Sequence, residues 1–312
     1  MQLIKLLDKV KKLENIQKKV NNDRNILLIN IMKLTKGLNH YTYKALEIKS
    51  EISKLFSEYR FKNNIVDNEN IFEKSKFFKK IIKSFYKQKE LWIYVTEEQK
   101  YATDSYSRYE HKILETIKKK RADFLPIGKR AIEFCKENKL TIIKEYDLWK
   151  NNISFMKNIS QIIKTFYIEK NYKNVNFVIN SNKNYNNHFT ILPINKFNVY
   201  ELLSNKEIEI KNVSFKNTKI FPNINDYLEN QIDLFLLNAL HSLFIESSFY
   251  TAKVGLVTLN KVSNEIDENV AKIKKKVLST KREIEIEEIT MITRNNKLNL
   301  IDKNEVNNNE KE

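Results

Sequence analysis

The most regular hydrophobic pattern in the chain lies in its first sixty residues. Two series of positions with a period of seven can be followed there, and nearly all of them are apolar. The first series is Leu3, Val10, Gln17, Arg24, Ile31, Leu38, Ala45, Ile52 and Tyr59, and the second is Leu6, Leu13, Val20, Leu27, Leu34, Tyr41, Ile48 and Leu55. A seam sustained over about eight heptads predicts one long helix, residues 1–65, that packs along a second helix.

Two polar residues, Gln17 and Arg24, interrupt the first series. Polar residues at seam positions fix the register of a helix pair at a cost in stability. They could instead face a partner protein that surrounds the helix. The sequence leaves both interpretations open.

A second long helix is predicted for residues 223–293, directly after Pro222. Its apolar stripe advances by three or four residues at a time from Leu259 through Val277 to Ile284, which is the spacing of one helix face. The two long helices therefore carry matching seams. We expect them to pair with each other as an antiparallel two-helix coiled coil.

The stretch "REIEIE" within residues 279–292 alternates charge and isoleucine, which is typical of a strand. The apolar stripe of the predicted helix runs directly into this stretch, and Ile286 and Ile289 continue at helical spacing. We therefore predict helix for this stretch. Residues 294–312 are polar, rich in Asn and without periodicity, and this pattern predicts a disordered tail.

The middle of the chain, residues 70–222, has a different pattern. Short apolar runs suited to buried strands alternate with amphipathic helical segments. The predicted strands are 91–96, 122–128, 140–146, 175–180 and 188–194, and the predicted helices are 129–139 and 152–170. Such alternation indicates βαβ units, so we predict a Rossmann-like α/β domain with a mainly parallel sheet, inserted between the two long helices.

A segment at 73–92 combines an aromatic face, with Phe77, Phe78 and Phe85, and a face rich in lysine. Such a helix can lie on an anionic membrane surface. More often it packs its aromatic face on the adjoining domain, and we favour that interpretation.

The composition limits the classes of function. The net charge of +17 would attract polyanions, although a genome rich in A and T would raise the lysine content by itself. One cysteine, Cys135, excludes a disulfide framework. The histidines His40, His111, His188 and His241 lack metal-ligand spacing, and no G-x-x-x-x-G-K-[ST] loop for phosphate is present. We expect no catalytic, cofactor or metal site.

Several short motifs stand in a fixed order along this helix–domain–helix plan. They are Asn15, Gln17 and Lys18 in "VKKLENIQKK", Thr96 and Glu98 after "LWIYV", Gly128 and Lys129 in "IGKRAIEF", the segment "ILPI", Glu246 and Ser247 in "IESS", and Glu288, Ile289, Thr290 and Ile292 in "TKREIEIEEITMI". With the plan, they resemble the γ subunit of F-type ATP synthases, the central rotor shaft. The glycines of that family's loop after the first strand are replaced here by Lys100, Thr103 and Asp104, so the resemblance is to a divergent relative. Additional F-type-like ATPases of mollicutes, some associated with gliding machinery, fit that description.

The resemblance implies a rotor that couples nucleotide hydrolysis or synthesis in a surrounding hexamer of α/β-like subunits to rotation of the shaft. Contacts with that ring would come from Asn15, Gln17, Lys18, Arg24, Lys281, Arg282 and Glu288; otherwise these are solvated charges on a helix face. Further partners would be an ε-like subunit and a proton-transporting ring or another load at the foot. The complex would lie at the cytoplasmic side of the membrane, as a peripheral assembly.

Two other functions remain open on the sequence. A coiled-coil scaffold or adaptor would hold two partners at a set distance without turning. Nucleic-acid binding is the weaker alternative, because the basic residues are dispersed and no motif that interleaves aromatic and basic residues stands out.

Overall fold

The computed structural model describes residues 2–59, 63, 65–66, 89–98, 104–117, 121–147, 153–181, 183, 188–202, 215 and 218–309. Most of the amphipathic segment 73–92 therefore lies outside the described residues. The chain divides into two compact units. Unit 1 comprises Met1–Ile26 and Leu256–Glu312, and unit 2 comprises Leu27–Gly255.

The elements, in chain order, are α1 Gln2–Tyr59, β1 Glu90–Val95, α2 Ser107–Ile117, β2 Ala122–Ile127, α3 Lys129–Glu137, β3 Thr141–Ile142, α4 Ile153–Glu169, β4 Val175–Val178, β5 Phe189–Leu192 and α5 Ile224–Asn309, with short 3-10 turns at Ile194–Lys196 and Val199–Leu202. Long helices from the two chain ends thus flank a central α/β domain. The predicted fold class is confirmed.

The last helix, α5, is longer than the sequence pattern indicated. It is helical through the "REIEIE" stretch, as predicted, and then continues to Asn309. The expected disordered tail at 294–312 is therefore wrong for residues 294–309. No Gly or Pro follows Pro222 except Gly255, so nothing in the local sequence ends the helix earlier.

The sheet of unit 2 has the strand order β3-β2-β1-β4-β5. Strand β1 pairs in parallel with β2 and with β4, β2 pairs in parallel with β3, and β5 is an antiparallel edge strand. The predicted strand 140–146 is shorter in the structure, since β3 spans Thr141–Ile142 and only an isolated bridge joins Tyr146 to Ile127. The mainly parallel arrangement agrees with the prediction.

Helices cover the sheet on both faces. Leu91, Ile93 and Val95 of β1 point into a core that α4 and parts of α1 and α5 complete. Trp92 and Tyr94 point the other way, into a second core with α2 and α3. A parallel sheet buried on both faces needs strands that are apolar at successive positions, which is why β1 reads as a continuous apolar run.

In unit 2, α1 and α5 run antiparallel and approach closely. A Cβ atom added at Gly37 of α1 would lie 3.3 Å from Ile245 Cδ1 of α5. One turn further along α1, the Tyr41 ring stacks on His241 at 4.5 Å between centroids. Part of α5 is long and apolar enough to cross a membrane by composition, but 67% of that window is buried inside the structure, as in a core helix.

Unit 1 is a pair of helix segments. The Gln17 side-chain amide of α1 donates to Ser263 Oγ of α5 at 2.8 Å, and Lys274 Nζ lies 2.8 Å from Glu14 Oε1. Residue numbers rise on one helix as they fall on the other, so the pair is antiparallel here as well. Its buried seam consists of Val10, Val20, Leu259, Ser263, Ile266 and Val277.

Candidate functional site

The first candidate site is the end of α5 in unit 1, where α1 no longer lies beside it. From the contact between Gln17 and Ser263, the start of α1 at Gln2 lies opposite roughly residue 278 of α5. Up to residue 294, where the description of side chains ends, Val277 is the last buried residue of the seam. About 30 residues of α5, or about 45 Å of helix, extend beyond that point.

Every residue from 281 to 294 is exposed. Several of these are large apolar side chains: Ile286 is 63% exposed, Ile289 64% and Met291 66%. Steps of about 100° per residue place Ile284 and Met291 on the seam side, with Ile286 and Ile289 on roughly the opposite side. A helix that is apolar on opposite sides is normally surrounded by other protein.

The charge along this part of α5 changes sign abruptly. Six cations come first, namely Lys272, Lys274, Lys275, Lys276, Lys281 and Arg282, and four carboxylates follow, namely Glu283, Glu285, Glu287 and Glu288. Lys274 pairs with Glu14 of α1, and Lys272 lies 3.7 Å from Glu268 on its own helix. The segment 283–288 of the unpaired end is thus acidic and apolar, with a basic stretch before it and Arg294 and Lys297 after it.

The seven residues predicted to contact a ring all lie in unit 1, but they do not form one site. Gln17 and Arg24 are half-buried on the seam side of α1, and the exposed members of the set are Asn15, Lys18, Lys281, Arg282 and Glu288. Lys281 is about 27 Å of helix away from Ser263, the partner of Gln17. The seven residues are therefore spread along the length of the helix pair. The bond to Ser263 supports the interpretation that Gln17 fixes the register, and the ring contacts stay a prediction.

The second candidate site is a polar group at the carboxyl edge of the sheet in unit 2, which we call the carboxyl-edge cluster. Its members are Glu97, Ser181, Lys183, Glu246, Ser247 and Ser248. Glu97 follows β1, Ser181 follows β4, and the last three belong to α5. The chain connects β1 to β2 on one side and reaches β4 on the other, and crevices at such a switch point commonly hold functional groups.

Glu97 contacts α5 through its carboxyl group. Ser248 Oγ donates to Glu97 Oε1 at 3.2 Å, and the backbone N–H of Glu97 donates to the Tyr106 hydroxyl at 2.9 Å. The Ser247 hydroxyl lies near the carboxyl but does not form a hydrogen bond of normal geometry. Burial raises the pKa of Glu97 to about 7, against a smaller lowering by the two serine hydroxyls.

Glu246 is 1% exposed and lies on the same stretch of α5. Ser181 Oγ donates to Glu246 Oε1 at 2.7 Å, and Lys183 Nζ lies 3.8 Å from Oε2. Burial raises the pKa of Glu246, while Ser181, Lys183 and Lys253 act in the opposite direction. The Tyr109 hydroxyl holds Ser181 in place, because it donates to the Ser181 carbonyl at 2.9 Å and accepts from its N–H at 3.1 Å.

A crevice of about 460 Å³ opens beside Glu97. Its lining residues are Thr96, Glu97, Glu98, Gly128, Lys129, Arg130, Glu133 and Asp147. Gly128 closes one wall in a left-handed conformation, with φ of 102°, and a Cβ there would lie 2.2 Å from the Thr96 carbonyl oxygen. Among the described residues, no three His, Cys, Asp or Glu side chains are close enough together to hold a metal ion.

The sequence had drawn attention to Glu98, and the structure shows Glu97 in contact with α5 instead. Side chains alternate along a strand, and Leu91, Ile93 and Val95 point toward the core that contains α5. Residue 97 continues that phase, whereas Glu98 is exposed. Counting positions from β1 would have identified the residue.

Comparison with known proteins gives one close relative and several distant structures. No protein-family model matches the sequence. The chain is 45% identical over 300 residues to the uncharacterized protein UU050 of Ureaplasma parvum serovar 3, with 95% of each chain covered.

Three of the similar solved structures are chains of mitochondrial ATP synthases. A chain of the Euglena gracilis rotor structure gives a TM-score of 0.41 at 10% identity, covering 91% of this chain and 98% of that one. A chain from the Euglena gracilis OSCP/F1/c-ring structure gives 0.45 at 10% identity, covering 93% and 92%. A chain of the Tetrahymena thermophila central stalk and c-ring gives 0.39 at 15% identity, covering 70% and 99%.

Proposed function

This chain belongs to the same family as the Ureaplasma protein UU050, and we propose that it is the central-stalk rotor subunit of an F-type-like ATPase. In this role it couples nucleotide hydrolysis or synthesis in a surrounding hexamer to rotation of the helix pair. The observation that carries the proposal is the end of α5, which runs beyond α1 and is apolar on opposite sides.

An exposed helix end of this kind gains stability when a ring of protein encloses it. Burying an Ile or Met side chain is favourable by about 1.5–3 kcal/mol relative to leaving it in water. Ile286, Ile289 and Met291 are each more than half exposed in the isolated chain. A ring of subunits that covers these side chains from several sides would keep α5 centred through apolar contacts, which do not depend on direction as a hydrogen bond does.

Coupling requires that the shaft presents different faces to successive ring subunits. Arg282 and Glu288 lie on different sides of α5 and carry opposite charges, so rotation changes which charge a given ring subunit meets. A contact biases the ring only if it differs between the open and closed states of the subunit. Lys281 on α5 and Lys18 on α1 would add to this asymmetry.

The nucleotide sites in this proposal belong to the ring. The assembly is peripheral, at the cytoplasmic side of the membrane, and the shaft turns a load at its foot. An ion-driven ring and a gliding-linked apparatus are both loads of the required kind, and an ε-like subunit would be a further partner.

The experiment is a reversible cross-link in the native complex. Ile289→Cys would be introduced into the full chain, with a cysteine at the facing position of the ring, and ATP hydrolysis measured before and after oxidation. Cys135 is buried, so the native thiol does not compete. We expect oxidation to stop turnover and reduction to restore it, because a rotor tied to its ring cannot turn.

The matched control is Ser53→Cys, an exposed position on α1 in unit 2. Oxidation of that variant should leave hydrolysis unchanged. If the Ile289 cross-link forms and turnover continues, the chain is a static scaffold. If the tagged chain brings down no nucleotide-hydrolysing hexamer, the proposal is wrong.

A further inference from the structure

The carboxyl-edge cluster connects three parts of unit 2 through two carboxyl groups. Glu97 links the end of β1 to Ser248 of α5, and Glu246 of α5 links to Ser181 after β4. The two contacts lie two residues apart on α5, so both hold the same turn of that helix. The position of α5 on the sheet edge therefore depends on two acids, the half-buried Glu97 and the buried Glu246.

Within the described part of the chain, no salt bridge joins a cation to the Glu97 carboxyl. Arg130 of α3 lines the same crevice, but it is engaged with Asp104 at 2.6 Å and with Glu110 at 2.7 Å. Lys129 is exposed, and Glu98, Glu133 and Asp147, which also line the crevice, are acidic. Just before α2 the neighbour is Tyr106, whose hydroxyl accepts from the Glu97 N–H, and on α5 the neighbours are Ser247 and Ser248.

An ionised carboxylate in such surroundings is unfavourable, and a neutral carboxyl is not. The neutral form also carries an O–H that can donate, and the Ser247 hydroxyl nearby is fully buried and lacks a partner of normal geometry. The crevice of about 460 Å³ gives water a route to Glu97, so a proton can be exchanged with solvent.

We propose that Glu97 is the proton-binding group of a clamp that fastens α5 to the carboxyl edge of the sheet. With the proton bound, the neutral carboxyl stays against Ser247 and Ser248 and the clamp is closed. When the proton leaves to water in the crevice, the cost of keeping a charged carboxylate against α5 exceeds what the two serine hydroxyls return, so the carboxylate turns toward solvent and this contact with α5 is released. Glu246, which keeps Lys183 within 3.8 Å, forms the second, more permanent attachment.

The pH range follows from the shift of the Glu97 pKa from 4.5 to about 7. A raised folded-state pKa gives stability that is fully present below pH 4.5, declines as pH rises, and is lost once pH passes about 7. Burial lowers the pKa of His241, which gives the opposite trend, since its stability is lost as pH falls below 6.5. The test must therefore compare variants that share His241.

The experiment compares unfolding of the full chain and its Glu97→Gln variant in urea at half-unit steps from pH 5 to pH 8.5. Glutamine keeps the size and hydrogen-bonding capacity of the protonated acid and cannot ionise. We expect the ratio of the two unfolding constants to change by up to tenfold per pH unit between pH 5 and 7, in favour of the variant, and to level off above about pH 7.5.

The matched control is Glu98→Gln, which removes the same charge one residue away from an exposed side chain. Its unfolding curve should stay parallel to that of the wild type across the range. Parallel curves for Glu97→Gln as well would overturn the proposal.

Hydrogen exchange supplies a local measurement. Corrected for the intrinsic rates, amides at 245–250 of α5 should lose protection between pH 6 and 8 in the wild type and keep it in Glu97→Gln, while amides of α4 show no difference. Should the variant fail to fold, the carboxyl carbon of Glu97 can be titrated by NMR in the wild type. A midpoint below pH 5 there would overturn the clamp.

Discussion

The same two helices, α1 and α5, pack in different ways in the two units. In unit 2, residues 239–247 of α5 are all buried, so that stretch is covered on every side by α1, α4 and the sheet. In residues 256–294 of unit 1, only the seam of α5 is covered, and its residues Ile266 and Val277 each keep 8% of their surface exposed. The heptad pattern alone does not set burial; the number of elements around the helix does.

This difference is visible in the amino acids that each part of α5 uses. The buried stretch 239–247 reads "ALHSLFIES", with apolar residues at successive positions and four buried polar ones, His241, Ser242, Glu246 and Ser247. The paired stretch from Leu259 to Val277 has apolar residues at helical spacing and charges between them. Two helices alone can bury one stripe each, whereas a helix set into an α/β domain is covered at its polar positions as well, and these polar groups then need partners inside the protein.

The largest loss of stability is expected for Phe244→Ala, which tests how tightly α5 packs in unit 2. The ring is fully buried and meets Phe177 of β4 edge-on, with 5.5 Å between centroids. We expect the free energy of unfolding to fall by about 3–5 kcal/mol, since truncation removes apolar contacts and leaves a cavity. Urea denaturation measures it, and a loss below about 1 kcal/mol would show that the core of unit 2 is looser than its burial indicates.

A smaller loss is expected for Ile266→Ala in the seam of unit 1. The site borders solvent, so water can fill the space, and we expect about 2 kcal/mol, the low end for such truncations. Val257→Ala, at a position 63% exposed on the same helix, serves as the control and should change stability by less than about 0.5 kcal/mol. A loss at Ile266 as large as at Phe244 would remove the distinction between the two units.

The polar pair in the seam of unit 1 should have a still smaller effect. Gln17→Leu leaves the hydroxyl of Ser263, which is 4% exposed, without its donor, and should cost about 1 kcal/mol. Adding Ser263→Ala should recover that loss, because both polar groups are then gone. A double-mutant cycle measures the coupling, and additive losses would mean that the bond does not stabilise the pair.

The smallest effect on stability is expected beyond the seam. Lys281→Ala and Arg282→Ala alter exposed side chains and should change the free energy of unfolding by less than about 0.5 kcal/mol each. Under the rotor proposal, the same variants should weaken ATP hydrolysis in the assembled complex. A large loss of stability in the isolated chain would instead show that Lys281 and Arg282 stabilise the fold itself.

Elements were predicted correctly from the sequence where the same spacing of apolar residues repeats over many turns. The heptads of α1 and the stripe of α5 identified both helices and their pairing, because many positions agree and one misleading stretch such as "REIEIE" is outvoted. Strands β1 and β2 were found because both faces are covered, so their apolar runs are unbroken. The end of α5 was missed because lack of apolar periodicity was taken for lack of helix, although Lys, Leu and Glu are good helix formers.

The contact of Gln17 with Ser263 and the carboxyl-edge cluster show what local sequence patterns cannot predict. Gln17 left two interpretations open because the deciding partner, Ser263, is 246 residues away in the chain. The carboxyl-edge cluster was not predicted because Glu97, Ser181 and Glu246 come from three separate elements. Only the phase of β1 could have favoured Glu97 over Glu98. Local patterns predict elements, and such clusters arise from how the elements meet.

The conformation of Gly128 has a consequence for the gene. Glycine codons begin with two guanines, and a genome that drifts toward A and T loses them readily, which agrees with three glycines in 312 residues rich in Lys, Asn and Ile. At Gly128 any other amino acid would bring a carbon atom to 2.2 Å from the Thr96 carbonyl oxygen. We therefore expect substitutions at this codon to be selected against because they clash sterically.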